Sequence, residues 1–330
     1  MDTKQERASA VRNQMNRLVV EIAVSKAIKE ISKGNMPRAL RRLVEIGGLL
    51  APADTPGELS SILQSMLGDD HHPYYTLAHR IVDSVDKRYL MGFGINMGFE
   101  CLSCGGETIR RQHALTGRWL PWMMGVHLPL LQPEMLRVPM SLGIMTYLLA
   151  AEKASAPELA ALCRAFPNAA FLLALPDQNI TSALLRELEG TVNLAVFPLC
   201  RHRAFASAPL LRSAGRFYIP FFLLDEADTD RLLETADFLC PDDPDLPCAL
   251  FLPDSSVPGE KADALASLIA RIRLAPTHPL LPGFPAMDIP GIEQQITGDP
   301  RARFSIPEAY DFSPLLLPGQ ELTLLLESLA

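Results

Sequence analysis

Gly143-Ile-Met-Thr-Tyr-Leu-Leu-Ala-Ala-Glu-Lys153 is followed by Leu159-Ala-Ala-Leu-Cys-Arg-Ala-Phe-Pro-Asn168 and then by Phe171-Leu-Leu-Ala-Leu175, and this order decides the fold. The first and third pieces are short apolar runs bounded by turn residues, the pattern of strands buried on both faces. The middle piece has helical spacing over Pro157–Ala165, with a proline where a helix tolerates one. Strand, helix, strand is a βαβ unit, and a parallel pair needs such a crossover. The rhythm continues on both sides. Candidate strands are Trp122–Leu128, Gly143–Leu149, Ala170–Leu175, Leu194–Leu199, Phe217–Leu224 and Cys248–Leu252, with a further helix over Thr181–Glu189. At least five such units predict an α/β fold, a full or partial TIM-like (β/α) barrel. A doubly wound sheet is the alternative, but no G-x-G-x-x-G follows the first strand.

Residues 1–118 read as a helical region. Apolar positions recur near a 3.6 period through 3–33, where Gly34 ends the helix and Pro37 opens the next over Arg38–Ile46. Further helices are predicted over Pro56–Leu67 and from Pro73 to about Asp86. A helix over 87–115 is interrupted by Gly92, Gly94, Gly98, Gly105 and Gly106. The barrel core spans 119–275. The Pro-rich segment 276–330 is expected to wrap it as loops with short strands, such as Arg303–Ile306 and Leu322–Leu326.

The chain of 330 residues is 48% hydrophobic and 21% charged, which excludes wholesale disorder. Its net charge of −8 argues against a nucleic-acid or anionic-membrane partner. No apolar run reaches the ~18 residues of a membrane span. The charged N-terminus has no apolar signal core, and six cysteines are too few for a disulfide framework. A reducing cytoplasm is the expected compartment.

Cys101-Leu-Ser-Cys104 is the sharpest local motif. It fits two thiolates on a metal or cluster, a redox pair, or two small residues packed between helices. Asp69-Asp70-His71-His72 before Pro73 fits a metal site or a solvated helix cap. Cys200-Arg201-His202-Arg203 follows a predicted strand end, where it fits an anion site, a nucleophile or an exposed loop. Lys153 would need burial to act as a Schiff-base amine. The acidic runs Asp225, Glu226, Asp228, Asp230 and Asp242, Asp243, Asp245 fit Mg²⁺ or Ca²⁺ ligands by residue type, but they lack the ligand spacing and turn glycine of an EF-hand and read as solvated loops. A basic patch at Arg38, Arg41 and Arg42 reads as a solvated face. P-loop, G-x-S-x-G and H-E-x-x-H motifs are absent.

The pieces quoted at the outset resemble the core of radical S-adenosylmethionine (radical SAM) enzymes. In that family the second strand ends in a Gly-Gly-Glu-Pro-type turn and the next near Thr-Asn-Gly. The corresponding positions here are Ala150-Ala151-Glu152-Lys153 and Pro176-Asp177-Gln178-Asn179. His72-Pro-Tyr-Tyr, Gly94-Ile-Asn-Met-Gly98 and Pro121-Trp122 resemble the helical preface and first strand of one subgroup. The family's C-x-x-x-C-x-x-C loop, whose thiolates hold a [4Fe–4S] cluster, has no counterpart. The span 129–142 contains no cysteine. Gly-specific backbone angles at the methionine-binding turn Ala150, Ala151, Glu152 are lost as well.

The resemblance therefore implies a radical-SAM-like barrel without its own cluster or radical chemistry, and with no cofactor. Such a chain is expected to be a non-catalytic partner, or a substrate-presenting subunit, of a radical SAM enzyme or another protein. One alternative is an active enzyme with altered chemistry at the barrel mouth. It would use His127 as general acid/base, Glu152 as its counterpart, and Asp177 and Cys200 beside them. The other is an iron–sulfur enzyme with a relocated [4Fe–4S] cluster on Cys101 and Cys104 that binds S-adenosylmethionine.

Overall fold

A computed structural model describes residues 3–35, 38–39, 72–276, 280–298, 315–316 and 325–329. The apolar runs become β1 (Met123–His127), β2 (Thr146–Ala150), β3 (Ala170–Pro176), β4 (Leu194–Arg201), β5 (Phe221–Leu224) and β6 (Cys248–Pro253). They are joined by β7 (Leu281–Gly283) and β8 (Leu315–Leu316). β1 to β7 pair in parallel, each with the next, and β8 lies antiparallel on β1. The protein is thus α/β, with seven parallel strands flanked by helices. Among the described residues the order of the seven parallel strands never reverses, so no switch point of a doubly wound sheet is seen there. Among the described residues no ladder joins β7 to β1 or β8. β2 and β3 are buried along their whole length, which is why they carry no polar alternation. Their residues belong to one continuous apolar core shared with the covering helices.

The register aligns the strand ends. His127 pairs with Ala150, Ala150 with Ala174, and Pro176 with Leu199. Arg201 pairs with Leu223. Everything that follows the strands therefore gathers along one C-terminal edge.

The opposite edge is closed by the N-terminal helices. These are Thr3–Ile31, Pro73–Ser84 and Lys87–Ile95, then a π-helical segment Asn96–Gly105 that runs on into Gly106–Thr116. The five glycines of this stretch do not interrupt the helix. Gly105 is needed for close approach, since a Cβ there would lie 2.5 Å from the Gly143 carbonyl oxygen. Gly143 has φ +97°, and a Cβ on it would lie 2.6 Å from the Gly105 carbonyl oxygen. The two backbones touch because neither carries a side chain. This turn also explains why β2 starts at Thr146 and not at Gly143.

Other expectations shift for local reasons. The strand predicted over Phe217–Leu224 keeps only Phe221–Leu224, because Pro220 has no N–H to continue the ladder. Tyr218 makes a single parallel bridge to Val196 ahead of that break. The acidic run after β5 is a helix start, not a loop. Asp225 Oδ1 accepts the Asp228 N–H at 2.8 Å and caps the helix Glu226–Thr235. Asp243 is buried, accepting from the Tyr218 hydroxyl at 2.8 Å and pairing with Arg212, so it is not solvated. Leu325–Glu327 is helical where a strand was expected over Leu322–Leu326. The sheet continues past residue 275 through β7, and Pro285–Thr297 forms a helix with Pro290 inside it. The remainder of Arg38–Ile46 beyond residue 39, Pro56–Leu67, Asp69, Asp70, His71, Arg41, Arg42 and Arg303–Ile306 lie outside the described residues. No helix among the described residues is long and apolar enough to cross a membrane.

Candidate functional site

The predicted site residues divide between the two edges. Cys101 and Cys104 lie in the π-helical segment at the N-terminal edge. The Cys101 thiol donates to the Met145 carbonyl oxygen at 3.3 Å and is 2% exposed. Burial pushes that thiol up to about 12 and half-buried Cys104 up to about 11. Neighbouring Asn96 is buried and donates to the carbonyls of Pro167 at 2.7 Å and Ala169 at 2.9 Å. Arg17 pairs with Glu21 at 3.0 Å and with Glu100, tying the first helix to this segment. Among the described residues, no third His, Cys, Asp or Glu atom joins the two cysteines in a ligand-sized group.

The other candidates line the C-terminal edge. His127 is half-buried at the end of β1. After it, Leu128–Leu130 and Pro133–Leu136 form short 3-10 turns and Arg137–Ser141 a short helix. Ala150 and Ala151 are fully buried, and the Ala151 N–H donates to the Ala174 carbonyl at 3.1 Å. Glu152 and Lys153 are exposed. Asn179 Nδ2 donates to the Glu152 carbonyl at 2.7 Å, which joins the loops after β2 and β3.

Asp177 is buried and already occupied. It accepts the N–H groups of Ala206 at 2.7 Å and Ser207 at 3.2 Å, and the Ser207 hydroxyl. It therefore holds the loop after β4. Asp242 helps by accepting the Phe205 N–H at 2.7 Å. Cys200 is buried, and burial, then the nearby Asp177 carboxylate, push its thiol far above the ordinary range. A thiol held neutral in this way is inert. One surface hollow of about 310 Å³ is lined by Ala208, Arg212 and Asp242, and another of about 450 Å³ by Leu18, Ile22 and Lys26. Neither is lined by His127, Glu152, Asp177 or Cys200.

The structure brings together three residues that the sequence kept in separate motifs. His202 directly follows β4, Asp225 directly follows β5, and Asp228 is in the first turn of the next helix. His202 Nδ1 stands 3.7 Å from an Asp225 carboxylate oxygen and 3.8 Å from Asp228 Oδ2. Burial, then the Asp225 carboxylate, push the Asp228 carboxyl up. The loop bearing His202 is bent by two successive left-handed residues, His202 at φ 51° and Arg203 at φ 57°. Pairing of β4 with β5 is the signal that finds this group, because both motifs follow adjacent strand ends. No protein-family model matches the chain, and no curated protein matches it in sequence.

Proposed function

We propose that this chain is a full or partial (β/α) barrel of the radical SAM type that has no cluster of its own. It acts as a non-catalytic partner, or substrate-presenting subunit, of another enzyme, foremost a radical SAM enzyme. The observation that carries the reading is the span after β1. Residues 128–142 contain no cysteine or histidine, and they fold into two 3-10 turns and a short helix. Three thiolates are needed there to leave one iron site open. The donor set therefore does not fit a [4Fe–4S] cluster. Cys101-x-x-Cys104 does not substitute for it. Cys101 is a neutral buried thiol on the far edge of the sheet, without a third ligand among the described residues.

The uninterrupted strand order supports the barrel reading. All six cysteines are free, which supports a reducing cytoplasm. A second reading, an enzyme of altered chemistry at the strand ends, is favoured by one observation, the group His202, Asp225 and Asp228.

Anaerobic retrieval of the tagged chain from its own cells tests the partner role. The expected result is a second polypeptide in fixed ratio whose activity falls when this chain is removed. Recovery of the free chain alone overturns the role.

A further inference from the structure

We infer that His202, Asp225 and Asp228 form a site for a divalent first-row transition cation at the C-terminal edge of β4 and β5. This inference is independent of the partner reading above, since it needs neither a cluster nor a second protein.

The ligand atoms of the three residues all lie within 4.8 Å of one another. Bonds of roughly 2.0–2.4 Å from one central cation span such a group. The distances of 3.7 and 3.8 Å from the imidazole nitrogen to the carboxylates are too long for hydrogen bonds. The three side chains thus converge without bonding to one another.

A second observation concerns the Asp228 carboxylate, which lies in the field of His202, Arg203 and Arg231 yet takes no hydrogen bond on one oxygen. Asp228 Oδ2 is sealed from solvent and has no hydrogen-bond donor. The Asp228 side chain is only 15% exposed. A buried carboxylate oxygen left unpaired is costly, and a bound cation would satisfy it. Two carboxylates set this close together repel unless a counter-charge lies between them.

The scaffold also fixes the ligands. Asp225 is held by the Asp228 N–H on its other oxygen, so the carboxylate that faces His202 is oriented. His202 itself is 76% exposed, which leaves an open approach for the ion. One imidazole nitrogen with two carboxylates selects manganese, iron or zinc over magnesium. Three protein ligands leave further positions open to water or an anionic group.

Mn²⁺ alone is the probe, titrated into the full chain and followed by loss of the free-ion electron paramagnetic resonance signal. One equivalent is expected to bind. His202→Gly suits the left-handed backbone at that position and so keeps the fold. This variant and Asp228→Asn are each expected to weaken binding at least tenfold. Glu226→Gln, which removes a neighbouring exposed carboxylate paired with Lys261, is expected to leave binding unchanged. Absence of saturable binding in the unaltered chain overturns the site. So does equal weakening by all three variants, which would mean diffuse attraction to surface acids.

Discussion

At the N-terminal edge of the sheet, the Cys101 thiol donates to Met145 and Asn96 donates to two carbonyls. At the C-terminal edge, Asp228 Oδ2 has no donor, and His202 stops short of hydrogen-bond distance to both of its carboxylates. The two regions use similar residue types differently. Around the C-x-x-C motif, polar side chains are paired and serve packing. After β4 and β5 the imidazole and two carboxylates converge at ion-pair range without hydrogen bonds between them. The motif conspicuous in sequence sits among hydrogen-bonded neighbours, whereas the other group joins the end of β4 to the helix start after β5.

The largest effect that sharpens this contrast is expected at Gly143. Gly143→Ala adds a Cβ against the Gly105 carbonyl oxygen in a left-handed backbone, and should cost about 3 kcal/mol in urea unfolding. A cost near zero would mean that the helical region is not docked through this contact.

Thiol reactivity comes next. With its thiol raised from 9.0 to about 11, Cys104 should be alkylated about 100-fold more slowly at pH 8 than an ordinary cysteine. Raising the value lowers the thiolate fraction at pH 8, so the rate should climb with pH toward 11. A fast rate, flat above neutral pH, would restore the redox-pair reading and break the comparison.

Asp177→Ala should cost about 2 kcal/mol, because the N–H groups of Ala206 and Ser207 lose their acceptor. Chemical denaturation measures it, and an unchanged midpoint would return Asp177 to the list of free functional groups.

The smallest effect is expected at His202. His202→Gly should leave stability unchanged or raise it by about 0.5 kcal/mol by relieving the left-handed backbone. A large loss would show that the imidazole has a structural role.

The parallel sheet was legible in the sequence because buried strands carry an unmixed apolar signal, as in Phe171-Leu-Leu-Ala-Leu175. β7 escaped because Leu281-Pro-Gly283 is short and proline-bearing. The helix through 87–116 was obscured by glycines whose purpose is tertiary, as the contact between Gly105 and Gly143 shows. Sequence reasoning marked both the tetrad Cys200-Arg201-His202-Arg203 and the acidic run from Asp225. It had no means of joining them, since their meeting depends on the register of β4 with β5. Asp177 directly follows β3 as expected, whereas Cys200 lies inside β4, which runs two residues past Leu199, and burial and hydrogen bonding fix what each can do. That information resides in the fold.

On the proposed function, neither edge of the sheet holds an iron–sulfur cluster. Iron and acid-labile sulfide per chain, measured after anaerobic purification and attempted reconstitution, test it most directly. Neither is expected to reach stoichiometry with the chain. A near-stoichiometric cluster lost in Cys101→Ala or Cys104→Ala would contradict it and make the C-x-x-C motif the centre of the chemistry.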